Sequence, residues 1–230
     1  MKYRVLLGGL LLTAACYVAS ASQGGPSKEA LQELQEYIGD WKGNGTSERD
    51  KTAIWKELAG WSWKFKGDDS WMTVEFKDSK WYKSGELRYL ADKKVYELTL
   101  TDKTDKAQVF QGTLKKGYLT LERVDTASKA TQQLKINTAS GGDRLVITYA
   151  VKPENRTVFN KEWQIGMTRE GVTLAGGKKG PECIVTGGLG TITVSYKGQT
   201  YYVCCSGCRD AFNENPAKII KDYEDKKKKG

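Results

Sequence analysis

Histidine is absent from all 230 residues. That single absence excludes Ser-His-Asp and Cys-His catalysis, histidine-bound zinc and histidine-ligated haem. Proline occurs four times and methionine three times, and beyond residue 21 no apolar run is long enough to cross a bilayer as a helix. Carboxylates are scattered through the turns, and no two fall at a spacing that places them in one pocket, so acid–base catalysis has no support and the chain is not read as an enzyme. What is present is ordinary for a folded protein: 39% hydrophobic and 10% aromatic residues, in a length that suits one large domain and a small one.

The basic start Lys2 and Arg4, an apolar stretch over 5–15 and the small triplet Ala19-Ser20-Ala21 read together as a secretory signal over residues 1–21. Cleavage after Ala21 would begin the mature chain at Ser22 and place it in the periplasm or outside the cell, with no transmembrane segment. A rival reading makes Cys16 a lipidated lipoprotein terminus behind Ala14 and Ala15, but Thr13 stands where such signals carry leucine, which ranks it second. Loss of the leader removes two cations from a formal net charge of +9, and the remaining cations are interspersed with 28 acidic residues, which disfavours nucleic acid as a partner. The closing 226–230 reads as a solvated basic tail.

Residues 27–38 carry apolar positions Ala30, Leu31, Leu34 and Ile38 at helical spacing, behind Ser27 as N-cap. From Trp41 to about Arg169 the pattern is one of short alternating runs separated by Gly, Asp, Asn and Lys turns. These include 54–65, 71–76, 81–90, 108–114, 118–124, 131–136 and 158–165. The expectation is a mainly β chain: an antiparallel up-and-down β-barrel of about nine or ten strands over 27–175, closed so that no edge is exposed. The seven tryptophans all lie in it and read as core. A linker over 176–180 then leads to a small ββαα cysteine module over 181–225. Gly187-Gly188-Leu189-Gly190 in that module lacks a preceding strand and a following helix, so it reads as a turn and not a nucleotide loop.

Gly39-Asp40-Trp41-Lys42-Gly43-Asn44-Gly45, after a short helix, resembles the entrance of lipocalin-like (calycin) barrels, and within them the nitrobindin type. The resemblance implies that Trp41 closes the barrel floor. Haem-binding relatives need a histidine ligand, so no haem is expected here.

The cysteines carry the chemistry. Cys183 is followed after twenty residues by Cys204 and, after three more, by Cys208, with Cys205 adjacent to Cys204. Thr191 to Tyr196 alternates like a strand, Lys197-Gly198-Gln199 turns, and Thr200 to Val203 returns, which would bring Cys204 back beside Cys183. Thiolates so gathered bind soft metals; in an oxidising compartment four cysteines could equally form two disulfides. Asn215-Pro216 reads as N-cap and first residue of a second helix ending near Tyr223, after a first helix capped by Ser206.

From Cys183-Ile184-Val185-Thr186-Gly187 through Tyr201-Tyr202-Val203-Cys204-Cys205-Ser206-Gly207-Cys208 to Phe212 and Asn215-Pro216, the region is similar to TRASH/YHS-type metal-binding domains. The resemblance implies Cys183, Cys204 and Cys208 as metal ligands and a role in heavy-metal sensing, trafficking or resistance. Cys205 is either a fourth ligand or a filler. Three thiolates suit Cu(I), whereas zinc calls for a fourth donor such as Cys205, Asp210 or water. Cys208, in the first turn of a helix, is expected to have a lowered thiol pKa. The leading expectation is thus an exported protein that binds copper or zinc through Cys183, Cys204 and Cys208, with Cys205 as the candidate fourth ligand. Alternatives are a carrier of a small apolar ligand in the barrel with a disulfide-stapled module, and thiol redox exchange through Cys204 and Cys208.

Mass spectrometry of the protein from its native host should find Ser22 as the first residue. A diacylglyceryl-modified Cys16 would instead establish a membrane anchor.

Overall fold

A computed structural model describes residues 25–170 and 180–229. Residues 1–24, 171–179 and 230 lie outside the described residues, and with them the expected leader, the end of the expected barrel span and most of the linker. Helix α1 (Pro26–Gln32) and a 3-10 turn (Gln35–Tyr37) come first. Ten strands follow: β1 (Gly39–Ser47), β2 (Ile54–Lys66), β3 (Asp69–Asp78), β4 (Tyr82–Leu90), β5 (Val95–Asp102), β6 (Ala107–Lys115), β7 (Tyr118–Val124), β8 (Thr131–Ala139), β9 (Arg144–Lys152) and β10 (Asn160–Arg169). Each pairs antiparallel with the next, and β1 returns to β10, so the sheet closes into a barrel. At that closing seam Gly43 lies opposite Met167. A Cβ on Gly43 would stand 2.0 Å from the Gly166 carbonyl oxygen, so only glycine allows the approach.

Alternation decides what fills the barrel. On β5, Tyr96, Leu98 and Leu100 are buried while their neighbours are half-buried; Leu145 and Ile147 do the same on β9. Trp41, Trp61, Trp63 and Trp163 are buried core, Trp55 and Trp71 are half-buried, and Trp81 is 38% exposed at the far rim. The interior retains a void of about 20 Å³, room for roughly one water.

The first helix departs from the expectation of one piece over 27–38. Pro26 takes the first helical position, and the Ser27 hydroxyl donates to Tyr89 O at 3.1 Å instead of capping. The helix ends early because the chain must turn into β1: Tyr37 OH donates to Ile136 O (2.9 Å) and the Trp41 indole N–H donates to Tyr37 O (2.7 Å). Leu31, Leu34 and Tyr37 thereby plug one end of the barrel, with Trp41 buried beside them.

The C-terminal part is a hairpin, β11 (Ile192–Tyr196) and β12 (Gln199–Val203), followed by α2 (Ser206–Glu214) and α3 (Pro216–Lys229). Cys205, not Ser206, occupies the N-cap position of α2. Asn215 Oδ1 accepts from Lys218 N–H at 3.2 Å as expected of a cap, but α3 runs on to Lys229 instead of fraying near Tyr223. Ion pairs Lys218–Asp222 (3.2 Å) and Lys221–Asp225 (2.8 Å), one helical turn apart, favour that continuation. No helix among the described residues is long and apolar enough to cross a membrane.

This part docks on the plugged end of the barrel. Strand β1 covers β2 only as far as Trp61, so the edge of β2 beyond it is left without a partner strand on that side. Helix α2 lies there: a Cβ on Gly207 would stand 1.7 Å from Trp63 O. Phe212, Val203 and Val194 join Leu31, Leu34 and Trp63 in one continuous apolar cluster.

Gly207→Ala should therefore force α2 off β2, at a cost of about 1–3 kcal/mol. Limited proteolysis should release a fragment from near residue 180 while the barrel keeps its cooperative transition; unaltered protection would refute this account of docking. Alkaline pH tests the barrel itself. Burial holds Tyr37 and Tyr82 far above the ordinary phenol range and pushes Tyr96 and Tyr149 up to about 12. Unfolded phenols ionise near pH ~10, so above that pH the folded chain retains more protons than the unfolded one. Stability is full below pH ~10 and is lost as pH rises toward ~12, which a series of urea midpoints would read; a flat series would contradict it.

Candidate metal centre

A different local device delivers each cysteine. Cys183 opens a knuckle in which its N–H donates to Gly188 O (2.6 Å) and Gly187 N–H donates back to Cys183 O (2.8 Å), with Gly187 at φ 80°. Ile184 N–H donates to Tyr202 O at 2.9 Å, laying the knuckle against β12. Lys197 and Gly198, at φ 48° and 80°, form the two-residue turn that returns β12 along β11. Because β12 stops at Val203, Cys204 and Cys205 escape the alternation that would send their side chains to opposite faces. Cys208 follows in the first turn of α2.

The result is a buried triad. The sulfurs of Cys183, Cys204 and Cys208 lie within 4.8 Å of one another, with 3.4 Å between Cys204 and Cys208. Metal–sulfur bonds of about 2.3 Å in tetrahedral geometry separate their sulfurs by about 3.8 Å, so this donor set fits a soft ion with little movement. Cys205 is not one of the three mutually close sulfurs, but its own lies 3.9 Å from that of Cys204 and accepts the backbone N–H of Trp63 at 3.4 Å. All four thiols are free, so the disulfide staple that the sequence left open is not formed here.

Hydrogen bonds among the sulfurs divide the protons. Cys204 and then Cys208 donate toward Cys183 and hold its pKa far below the ordinary thiol range; the same two neighbours, in the same order, lower Cys205. Cys204 is pushed up by its bonds to Cys183 and Cys205. Cys208 is raised too, first by burial, so the expected helix-dipole depression of this thiol is reversed: desolvation outweighs the half-charge of a helix end. Without an ion the cluster favours shared protons, which metal binding must displace.

Three residues that the sequence reading did not single out complete the site. Thr186, buried in the knuckle, donates its hydroxyl to Cys183 Sγ (3.3 Å) and lies 3.5 Å from Cys204 Sγ. Its place three residues after Cys183 was a usable signal. Gln35 donates Nε2–H to Cys204 Sγ at 3.6 Å, while its Oε1 accepts the Trp63 indole N–H at 2.8 Å. Gln35 and Trp63 come from the barrel, more than 140 residues away, where no local pattern betrays them. Arg169, stacked 4.4 Å above the Trp41 ring, is tied to Ile38 O (2.5 Å) and Gly142 O (3.0 Å) and is close enough to interact with Cys204.

Access follows from burial. Cys183 and Cys208 are 0% exposed, whereas Cys204 and Cys205 are 6% exposed. Two clefts along the seam between the barrel and the hairpin, of about 470 and 520 Å³, both reach Cys204 and both have Arg169 in their walls. At the opposite end, the barrel mouth holds a separate cavity of about 550 Å³ lined by Trp81, Trp163 and Tyr149 with Arg49 and Arg123. There Trp81 stacks on Trp163 (6.1 Å, 15°) and Trp163 on Tyr149 (5.0 Å, 15°).

No curated protein matches this chain. Among solved structures, the crystal structure of Rv2717c from M. tuberculosis aligns at a TM-score of 0.39 and 16% identity, covering 61% of this chain and 97% of that one, a likeness too slight to carry an argument. No protein-family model matches either, so the likeness of the C-terminal part to TRASH/YHS-type domains rests on its cysteines and hairpin alone.

Proposed function

We propose that this is an exported, non-enzymatic metal-binding protein that takes up and passes on copper or zinc through Cys183, Cys204 and Cys208. The observation that carries the reading is the buried thiol triad, whose sulfurs all lie within 4.8 Å. An ion held there would be bound by those three sulfurs, with Thr186 and Gln35 hydrogen-bonded around them. Soft thiolates select soft ions, and a site with two sulfurs sealed and one facing a cleft suits exchange with a carrier better than permanent structural retention. Trafficking and an exported location are parts of this proposal.

A second reading has one observation in its favour. The aromatic mouth could receive a small ligand, although the packed interior confines it to the rim. Such a ligand would sit at the rim and not inside the barrel, where the sequence reading put an apolar one.

Reduced, full-length protein should bind one Cu(I) or Zn(II) with release of protons. Cys183→Ser, Cys204→Ser or Cys208→Ser should each weaken binding by at least about 100-fold, by the loss of one of three donors, and Cys205→Ser by much less. Elemental analysis and chelator competition would check this; protein that binds neither ion, or is indifferent to all four substitutions, would refute it.

A further inference from the structure

We propose that the barrel is a working part of the metal centre: Gln35 positions the Cys204 sulfur and the Trp63 backbone N–H fixes the Cys205 sulfur at the edge of β2. The inference rests on the triad being a metal site. It adds that metal affinity is set across the seam, by residues of the barrel that touch sulfur and never the ion.

Three observations converge. First, the Gln35 amide is clamped from both sides. Its Oε1 is fixed by the indole N–H of fully buried Trp63 at 2.8 Å, which leaves Nε2 as the end facing Cys204. Second, the fit leaves no slack. A Cβ on Gly188, in the knuckle that carries Cys183, would come within 2.1 Å of Gln35 Nε2. The neighbouring Gln32 also donates to Thr186 O at 3.0 Å, so α1 and the following turn grip the knuckle twice. Third, the unpaired edge of β2 supplies the Trp63 N–H, and the sulfur of Cys205 satisfies it. A donor buried at a strand edge needs a partner, and turning the Cys205 sulfur away from it would orphan it at a cost of roughly 1–3 kcal/mol.

The chemistry that follows is that of a second layer around a metal–thiolate. Hydrogen bonds to sulfur withdraw charge from it and fix its direction, and removal of such partners typically weakens metal binding about 10–100-fold. Gln35→Leu removes the donor, whereas Gln35→Glu keeps the shape but replaces a donor with an acceptor that repels thiolate.

The test uses the full-length reduced protein, with Cu(I) competed against bathocuproine disulfonate and the sulfur-to-copper charge-transfer band recorded in the near ultraviolet. Gln35→Leu should weaken Cu(I) binding about 10–100-fold and shift that band; Gln35→Glu should weaken it at least as much. Protease protection of the region after residue 180 serves as the docking control in both variants. If Gln35→Glu binds like the wild type while Gln35→Leu does not, Gln35 merely fills space and the inference fails. Wild-type affinity and an unshifted band in both variants overturn it as well, while the metal reading stands. Wild-type protein that binds no Cu(I) or Zn(II) overturns both.

Discussion

A cluster of thiols stays buried only where something covers it, and the cover here is the plugged end of the barrel. The hairpin and two short helices bury few apolar side chains of their own, chiefly Val194, Val203 and Phe212. A unit that small is marginal when alone. Packing against Leu31, Leu34 and Trp63 extends its core into that of a ten-stranded barrel. The same contact excludes water from Cys183 and Cys208. The raised Cys208 thiol follows first from that exclusion, while hydrogen bonds among the sulfurs divide the remaining protons.

Two geometric accidents of the barrel make the docking possible. Strand β2 is 13 residues long and β1 only nine, so β2 overshoots its neighbour and exposes a stretch of edge. Exposed edges invite pairing with other chains. Here helix α2 and the Cys205 sulfur occupy the edge, so one contact both protects the barrel and places Cys208. The second is the break between α1 and the 3-10 turn. A continuous helix would carry Gln35 on a different bearing; the break turns it toward both the Trp63 indole and Cys204.

The two ends of the barrel differ in character. One end is closed by side chains and carries the thiols; the other is an open rim of stacked aromatics with cations among them. Between them the interior is filled by Trp61, Leu98, Leu134 and Ile147, leaving about 20 Å³. A molecule at the rim and an ion at the base would have no common passage through such a core. The seam clefts at Cys204 are the way to the triad.

Much of this was legible in the residues. Alternation of apolar positions with glycine- and asparagine-rich turns determined antiparallel strands with one buried face, a pattern a sandwich shares; the pairing of β1 with β10 decided closure into a barrel. Absence of histidine narrowed any metal site to sulfur and oxygen donors. The Cys183, Cys204 and Cys208 spacing with a two-residue turn between strands determined that those sulfurs could meet, since hairpin register is local. The length of α3 was underestimated because residues 224–229 are all charged and hold no apolar position to mark a helix from sequence, while the Lys221–Asp225 pair carries the helix past Tyr223. Only the tertiary structure decided which thiol is raised, where Cys205 points and that Gln35, Trp63 and Arg169 belong to the site. Those facts depend on burial and on contacts across more than a hundred residues. Desolvation and long-range packing leave no periodic trace in a sequence, whereas strands and turns, whose interactions are between near neighbours, do.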